Sequence, residues 1–86
     1  MRSQNERLLV RYWAGARAAA GVSEQHVGLP EDATVADVVT AVTSQHPDLE
    51  PVLEVASLLL DGRAARREEP VGSAAVLEVL PPFAGG

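Results

Sequence analysis

The sequence predicts an α+β fold in which a mixed sheet packs against one main helix. Three observations carry this. The chain has segments rich in β-formers near both ends, Arg7–Trp13 and Ala75–Leu80. One stretch with helical periodicity, opening at Thr34, stands between them. With 86 residues, 47% of them hydrophobic, there is apolar material for one modest core and no room for two.

The elements follow in order. In Arg7–Trp13, Leu8, Val10 and Tyr12 share one face of a strand, and Leu9, Arg11 and Trp13 share the other. Ala14–Gly21 is a short helical turn closed by a glycine cap at Gly21. Ser23–Leu29 is a weaker strand, stopped by Pro30, that should pair antiparallel with the first. Thr34 can cap a helix whose third residue, Asp37, completes a variant of the capping box. Val35, Val38, Val39 and Val42 then line one helical face at i, i+3, i+4 and i+7. The helix should end near Gln45-His46, because proline at position 47 disfavours a helical residue before it.

Pro47–Val55 reads as a connection with one helical turn anchored by Leu49 and Leu53, and Ser57–Leu60 as a short apolar strand. Asp61-Gly62 is a strong turn signal, and Arg63–Gly72 is polar and reads as a loop. Ala75–Leu80 is flanked by hydrophobic residues on both faces, which suits a central strand. Pro81-Pro82 ends it, since proline cannot donate to a ladder. The order β-β-α-β-β, with first and last strands parallel and adjacent in the middle, is an arrangement of β-grasp type. Residues 1–86 are expected to form a single domain, with 81–86 as a flexible C-terminal tail.

Composition removes several function classes. The chain has no cysteine, which excludes a disulfide scaffold, a thiolate metal site and a cysteine nucleophile. No apolar run approaches the ~20 residues that span a membrane. Met1–Arg7 lacks the apolar stretch of a signal peptide, so a cytoplasmic protein is expected. A net charge of −5 argues against a phosphate-backbone binder and favours a partner with a basic docking surface. All seven bases are arginines, at 2, 7, 11, 17, 63, 66 and 67. With no lysine, the chain offers no side-chain amine for an isopeptide bond to itself.

Catalytic constellations are not legible. His26 and His46 are the obvious acid–base candidates, but neither has a second ligand at metal-site spacing, and both read as surface histidines. No metal site is expected. Gly15 and Gly21 belong to a turn and a cap, not to a phosphate loop. Glu31-Asp32 and Glu68-Glu69 read as solvated charges, the latter offsetting the Arg63, Arg66 and Arg67 cluster.

One distinctive feature is left, the closing segment Leu80-Pro81-Pro82-Phe83-Ala84-Gly85-Gly86. Two glycines cannot help a fold, because glycine loses the most freedom on ordering. They read either as a frayed end or as a functional end that must enter a narrow site. Pro81 and Pro82 stiffen the exit from the sheet. Phe83 is either an interface anchor or a cover for the sheet edge.

"LLVRYWAGARAAAG", "LLLDGR" and the terminal "VLEVLPPFAGG" together resemble the MoaD/ThiS family of ubiquitin-like sulfur carriers, with the MoaD branch nearest. The likeness runs from about Leu8 to Gly86. It implies a β-grasp fold and a carrier cycle. A MoeB-like adenylating enzyme, using ATP and Mg²⁺, would convert the Gly86 carboxylate to an acyl-adenylate, and a sulfurtransferase would supply sulfur to leave a thiocarboxylate. The tail would then enter a MoaE-like large subunit of molybdopterin synthase, with Gly85 giving passage and Phe83, Pro82 and Pro81 docking. The carrier would bind no cofactor and hold no active site of its own, in a possible heterotetramer of two small and two large subunits. The resemblance equally admits carriers for thiamin, cysteine or another sulfur metabolite, and the fold admits an interaction module without tail chemistry. Two departures stand out: Asp61-Gly62 where typical members carry Asn-Gly, and Gly72-Ser73-Ala74-Ala75 where they often carry an acidic turn.

Overall fold

The computed structural model describes residues 6–82. Its elements are β1 (Glu6–Tyr12), α1 (Ala14–Ala20), β2 (Glu24–Gly28), α2 (Val35–Gln45), α3 (Leu49–Val55), β3 (Ser57–Leu60), β4 (Arg63–Ala64) and β5 (Val76–Leu80). The five strands form one sheet in the order β2-β1-β5-β3-β4. β1 and β5 run parallel at its centre, and the pairs β1–β2, β3–β5 and β3–β4 are antiparallel. This is the β-grasp arrangement expected from the sequence.

The alternation in β1 sets the layers. Leu8, Val10 and Tyr12 are buried, whereas Leu9 is half-buried and Arg11 is exposed. Register carries the inner face across the sheet to Val27, Leu77, Val79, Leu58 and Leu60, all buried. The helices close the core from that side. α2 contributes Val35, Val38 and Val42, and α3 contributes Leu49 and Leu53. α1 contributes Ala16 and Ala20 and ends on Gly21 at φ 78°, a left-handed position where glycine carries no Cβ strain. α2 is the main helix, as expected, and the Thr34–Asp37 capping box is formed in both directions.

Three features differ from the sequence reading. α3 runs for seven residues, longer than the single turn expected. Pro51 permits this because it lies in the first turn, where an N–H would have no helical partner. Arg63-Ala64 is a strand, not loop: Asp61 (φ 49°) and Gly62 (φ 87°) form a two-residue turn with positive φ at both centres, which brings Arg63 opposite Leu60. The rest of the supposed polar loop is structural. Val71 is buried, and the backbone carbonyls of Glu69 and Arg67 accept from the Val35 and Ala36 amides at 2.9 and 2.8 Å. These two amides open α2 and would otherwise lack partners. Among the described residues, no helix is long and apolar enough to cross a membrane.

Candidate functional site

The closing segment leaves the sheet at its centre. β5 is paired on both sides as far as Val79, and on the β3 side as far as Leu80, which stands opposite Ser57. Pro81 follows half-buried and Pro82 exposed. Neither can extend the ladder, so the chain departs from a fixed point in the most constrained strand. Phe83, Gly85 and Gly86 lie outside the described residues.

Around this exit the outer sheet face is apolar. Leu9 and Val76 stand opposite each other, Leu59 faces Glu78, and Leu80 follows at the end of β5. Leu9, Leu59, Val76 and Leu80 are half-buried with no helix over them. A groove of about 410 Å³ runs along this face, lined by Trp13, Ala14, Ser57, Leu59, Leu80, Pro81 and Pro82. Trp13 is 42% exposed, a large aromatic surface left in water. The Arg11 guanidinium lies over its ring at 5.3 Å, a cation–π contact, and Arg11 also pairs with Glu24 at 3.6 Å. The indole thus packs against Arg11 and lines the groove.

The other candidates are spent on structure. His26 is exposed on β2. His46 is half-buried, and its Nε2 donates to Gln25 Oε1 at 2.9 Å. The same oxygen accepts from the Tyr12 hydroxyl at 2.6 Å, and Gln25 Nε2 donates to Gln45 Oε1 at 2.7 Å. This knot ties β1 and β2 to the end of α2. Burial pushes the Tyr12 phenol up to about 12. Arg63 pairs with Glu69 at 2.5 Å and Arg66 with Glu68 at 3.4 Å, while Arg67 donates to the Leu53 carbonyl. The hydrogen bond from Arg63, with one from the Arg66 amide, holds the Glu69 carboxyl below its usual range. No polar or charged residue is buried, and no group of histidines and carboxylates could hold a metal, among the described residues.

The tail exit was legible in Pro81-Pro82, but its apolar surround was not. The available signal was the run Leu58-Leu59-Leu60: Leu58 and Leu60 serve the core, which leaves Leu59 apolar on the opposite face.

The ThiS family model matches residues 10–86, from within β1 to Gly86. The chain belongs to the ThiS family. It is of the ubiquitin-like sulfur-carrier type that the tail motif suggested. A molybdopterin synthase sulfur carrier subunit of Chlamydomonas reinhardtii is 29% identical over 79 residues, covering 90% of this chain and 95% of the relative. Small archaeal modifier protein 1 of Haloferax volcanii superimposes with a TM-score of 0.83 at 28% identity, over 92% of this chain and 98% of the other. A Pyrococcus furiosus protein assigned as molybdopterin converting factor subunit 1 gives 0.78 at 27% identity, over 88% and 97%.

Proposed function

We propose that this chain carries sulfur on the carboxyl group of Gly86 for molybdopterin synthesis, as the small subunit of a molybdopterin synthase. The observation that carries the reading is the family match, which continues through the Leu80–Gly86 segment. The Chlamydomonas relative, named as a sulfur carrier subunit of that synthase, supports the pathway and a larger partner subunit.

The chemistry suits the chain. A carboxylate is a poor electrophile. Attack of Gly86 on the α-phosphate of ATP, expelling pyrophosphate at a MoeB-like enzyme with Mg²⁺, makes AMP its leaving group. A persulfide sulfur from a sulfurtransferase then displaces AMP, and a thiol cleaves the new S–S bond to leave the thiocarboxylate. Cysteine is therefore not needed on the carrier, and none is present. Gly85 and Gly86 present no side chain to a narrow channel, while Pro81, Pro82 and Phe83 dock beside it. The apolar outer face around Leu59, Val76 and Leu80 is where a MoaE-like subunit would sit, in an assembly of two small and two large subunits. The cycle is cytoplasmic, where ATP and persulfide enzymes meet it.

The test is the intact mass after co-expression with the adenylating enzyme and a sulfur source. An oxygen-to-sulfur increment, lost when Gly86 is deleted, is expected. Its absence, with the enzymes active on a control carrier, would refute sulfur carriage. The archaeal modifier likeness favours a second reading, ligation of Gly86 to an amine of another protein. Loss of water between Gly86 and a lysine of a co-purified protein would mark it. Sulfur delivered to thiamin or cysteine precursors in place of the pterin would correct the pathway alone.

A further inference from the structure

We propose that Glu78 is the residue by which the outer sheet face selects its partner, and that the partner sets an arginine side chain against it inside an otherwise apolar contact. The inference rests on the reading that a large subunit docks on this face, and it names the chemistry that subunit must bring.

Glu78 stands in the middle of the sheet. Register places one residue from each strand in a single row: Glu24, Arg11, Glu78, Leu59 and Ala64. Alternation along β5 buries Leu77 and Val79 and turns Glu78 to the outer face, between Val76 and Leu80. Leu59, Val76 and Leu80 around it are half-buried, as is Glu78 itself. The fourth neighbour is Arg11, which is engaged elsewhere. Its Nε lies 3.6 Å from Glu24 Oε1, and its guanidinium covers the Trp13 ring at 5.3 Å. Among the described residues Glu78 has no ion pair. The row holds two carboxylates and one guanidinium, so one carboxylate is left over whichever way Arg11 turns.

In the free chain water solvates that carboxylate. A partner that covers the face removes the water, and an unpaired charge among apolar groups then opposes binding. The face therefore suits a surface that supplies the missing cation. Arginine meets the need better than lysine. Its guanidinium is less strongly hydrated than an ammonium, and its planar fork can take a carboxylate with two hydrogen bonds. A second copy of this chain is the wrong occupant, because it brings another unpaired Glu78 and a net charge of −5.

Titration calorimetry of the intact chain with the large subunit is the test. Glu78→Gln is nearly isosteric and should keep the urea midpoint of the parent. If the partner brings an arginine, the substitution leaves that cation unpaired and should weaken binding by about 30-fold. If it brings none, the substitution relieves a desolvated charge, and unchanged or tighter binding would overturn the proposal. The loss should persist at about 0.5 M salt, where attraction between net charges is screened. A loss that vanishes there, or an equal loss in Glu54→Gln, exposed on α3, would also overturn it by assigning the effect to net charge. Leu59→Ala reads the docking itself. Should it weaken binding while Glu78→Gln does not, the face docks its partner without the arginine. Should neither variant weaken binding, the docking reading falls as well. A dimer of the free chain in sedimentation equilibrium, lost in Leu59→Ala, would give the face to a second copy and overturn the proposal.

Discussion

Asp61 and Val76 are bonded twice. The Asp61 amide donates to the Val76 carbonyl at 2.9 Å, and Asp61 Oδ1 accepts from the Val76 amide at 3.0 Å. The same oxygen also accepts from the Ala75 amide at 3.0 Å. One turn residue therefore fixes where β5 begins, and β5 delivers the tail. Asp61 does this from a left-handed conformation, φ 49°, which aspartate and asparagine tolerate better than most side chains. Asp61→Ala should lose both acceptor contacts and add strain, costing about 2 kcal/mol in urea unfolding. Asp61→Asn keeps an acceptor oxygen and should fall within about 0.5 kcal/mol of the parent. Equal losses in the two variants would mean that the side chain's bonds are not what holds the turn.

Tyr12 predicts an alkaline limit. An unfolded tyrosine ionises near 10, whereas burial raises the folded phenol to about 12. The folded state thus holds its proton more tightly across that interval. Stability is fully present below about pH 10 and declines as pH rises toward 12. By pH 11 the loss should be about 1.4 kcal/mol relative to pH 9. As the single tyrosine, Tyr12 can be titrated directly by phenolate absorbance. A midpoint near 10 in the folded protein would contradict this account. Tyr12→Phe should abolish the absorbance change, and it should cost about 1 kcal/mol for the hydrogen bond to Gln25.

The sequence disclosed what depends on neighbours along the chain. The valine stripe of α2, the Thr34–Asp37 box and the Gly21 cap each sit within a few residues of their partners. The central place of β5 was legible because apolar residues stand on both of its faces, Leu77 and Val79 toward the core and Val76 and Leu80 on the other side. What was hidden arises from distant residues meeting. The opening amides of α2 find carbonyls of Arg67 and Glu69, more than thirty positions away. Gln25 joins Tyr12, Gln45 and His46 through a knot that no spacing announces. β4 is two exposed residues whose strand character comes from the turn before it. The candidate site divides in the same way: the tail motif is contiguous, whereas the groove beside it is assembled from β1, β3 and β5.

Gly85 tests the demand for a narrow passage. Gly85→Val adds two methyl groups and a Cβ at the position before the carboxylate proposed to react. If the activating site closes around the tail, small displacements of the reacting group are costly, and adenylation should slow by about 100-fold. Thermal unfolding should not change, because the substitution lies beyond β5 and its ladder. ATP–pyrophosphate exchange at matched carrier concentration measures the first quantity and calorimetry the second. Unimpaired exchange would mean that the channel accepts side chains.

The outer sheet face makes the last prediction. Leu59 points away from the core and stands opposite Glu78 on one side and Ala64 on the other. Its neighbours Leu58 and Leu60 hold the core, so a charge at the half-buried Leu59 can turn from the open groove to solvent in the free chain and would meet a desolvated surface in a complex. Leu59→Glu should therefore leave the urea midpoint nearly unchanged. It should weaken binding to a large subunit by about 2 kcal/mol, or about 30-fold, the size of an interface hot spot. Thr40→Glu, exposed on α2 on the opposite side of the molecule, should leave that affinity intact. If titration calorimetry found the two variants equally good binders, the apolar outer face would not be the docking surface. The partner would then contact this chain through its helices or its tail alone.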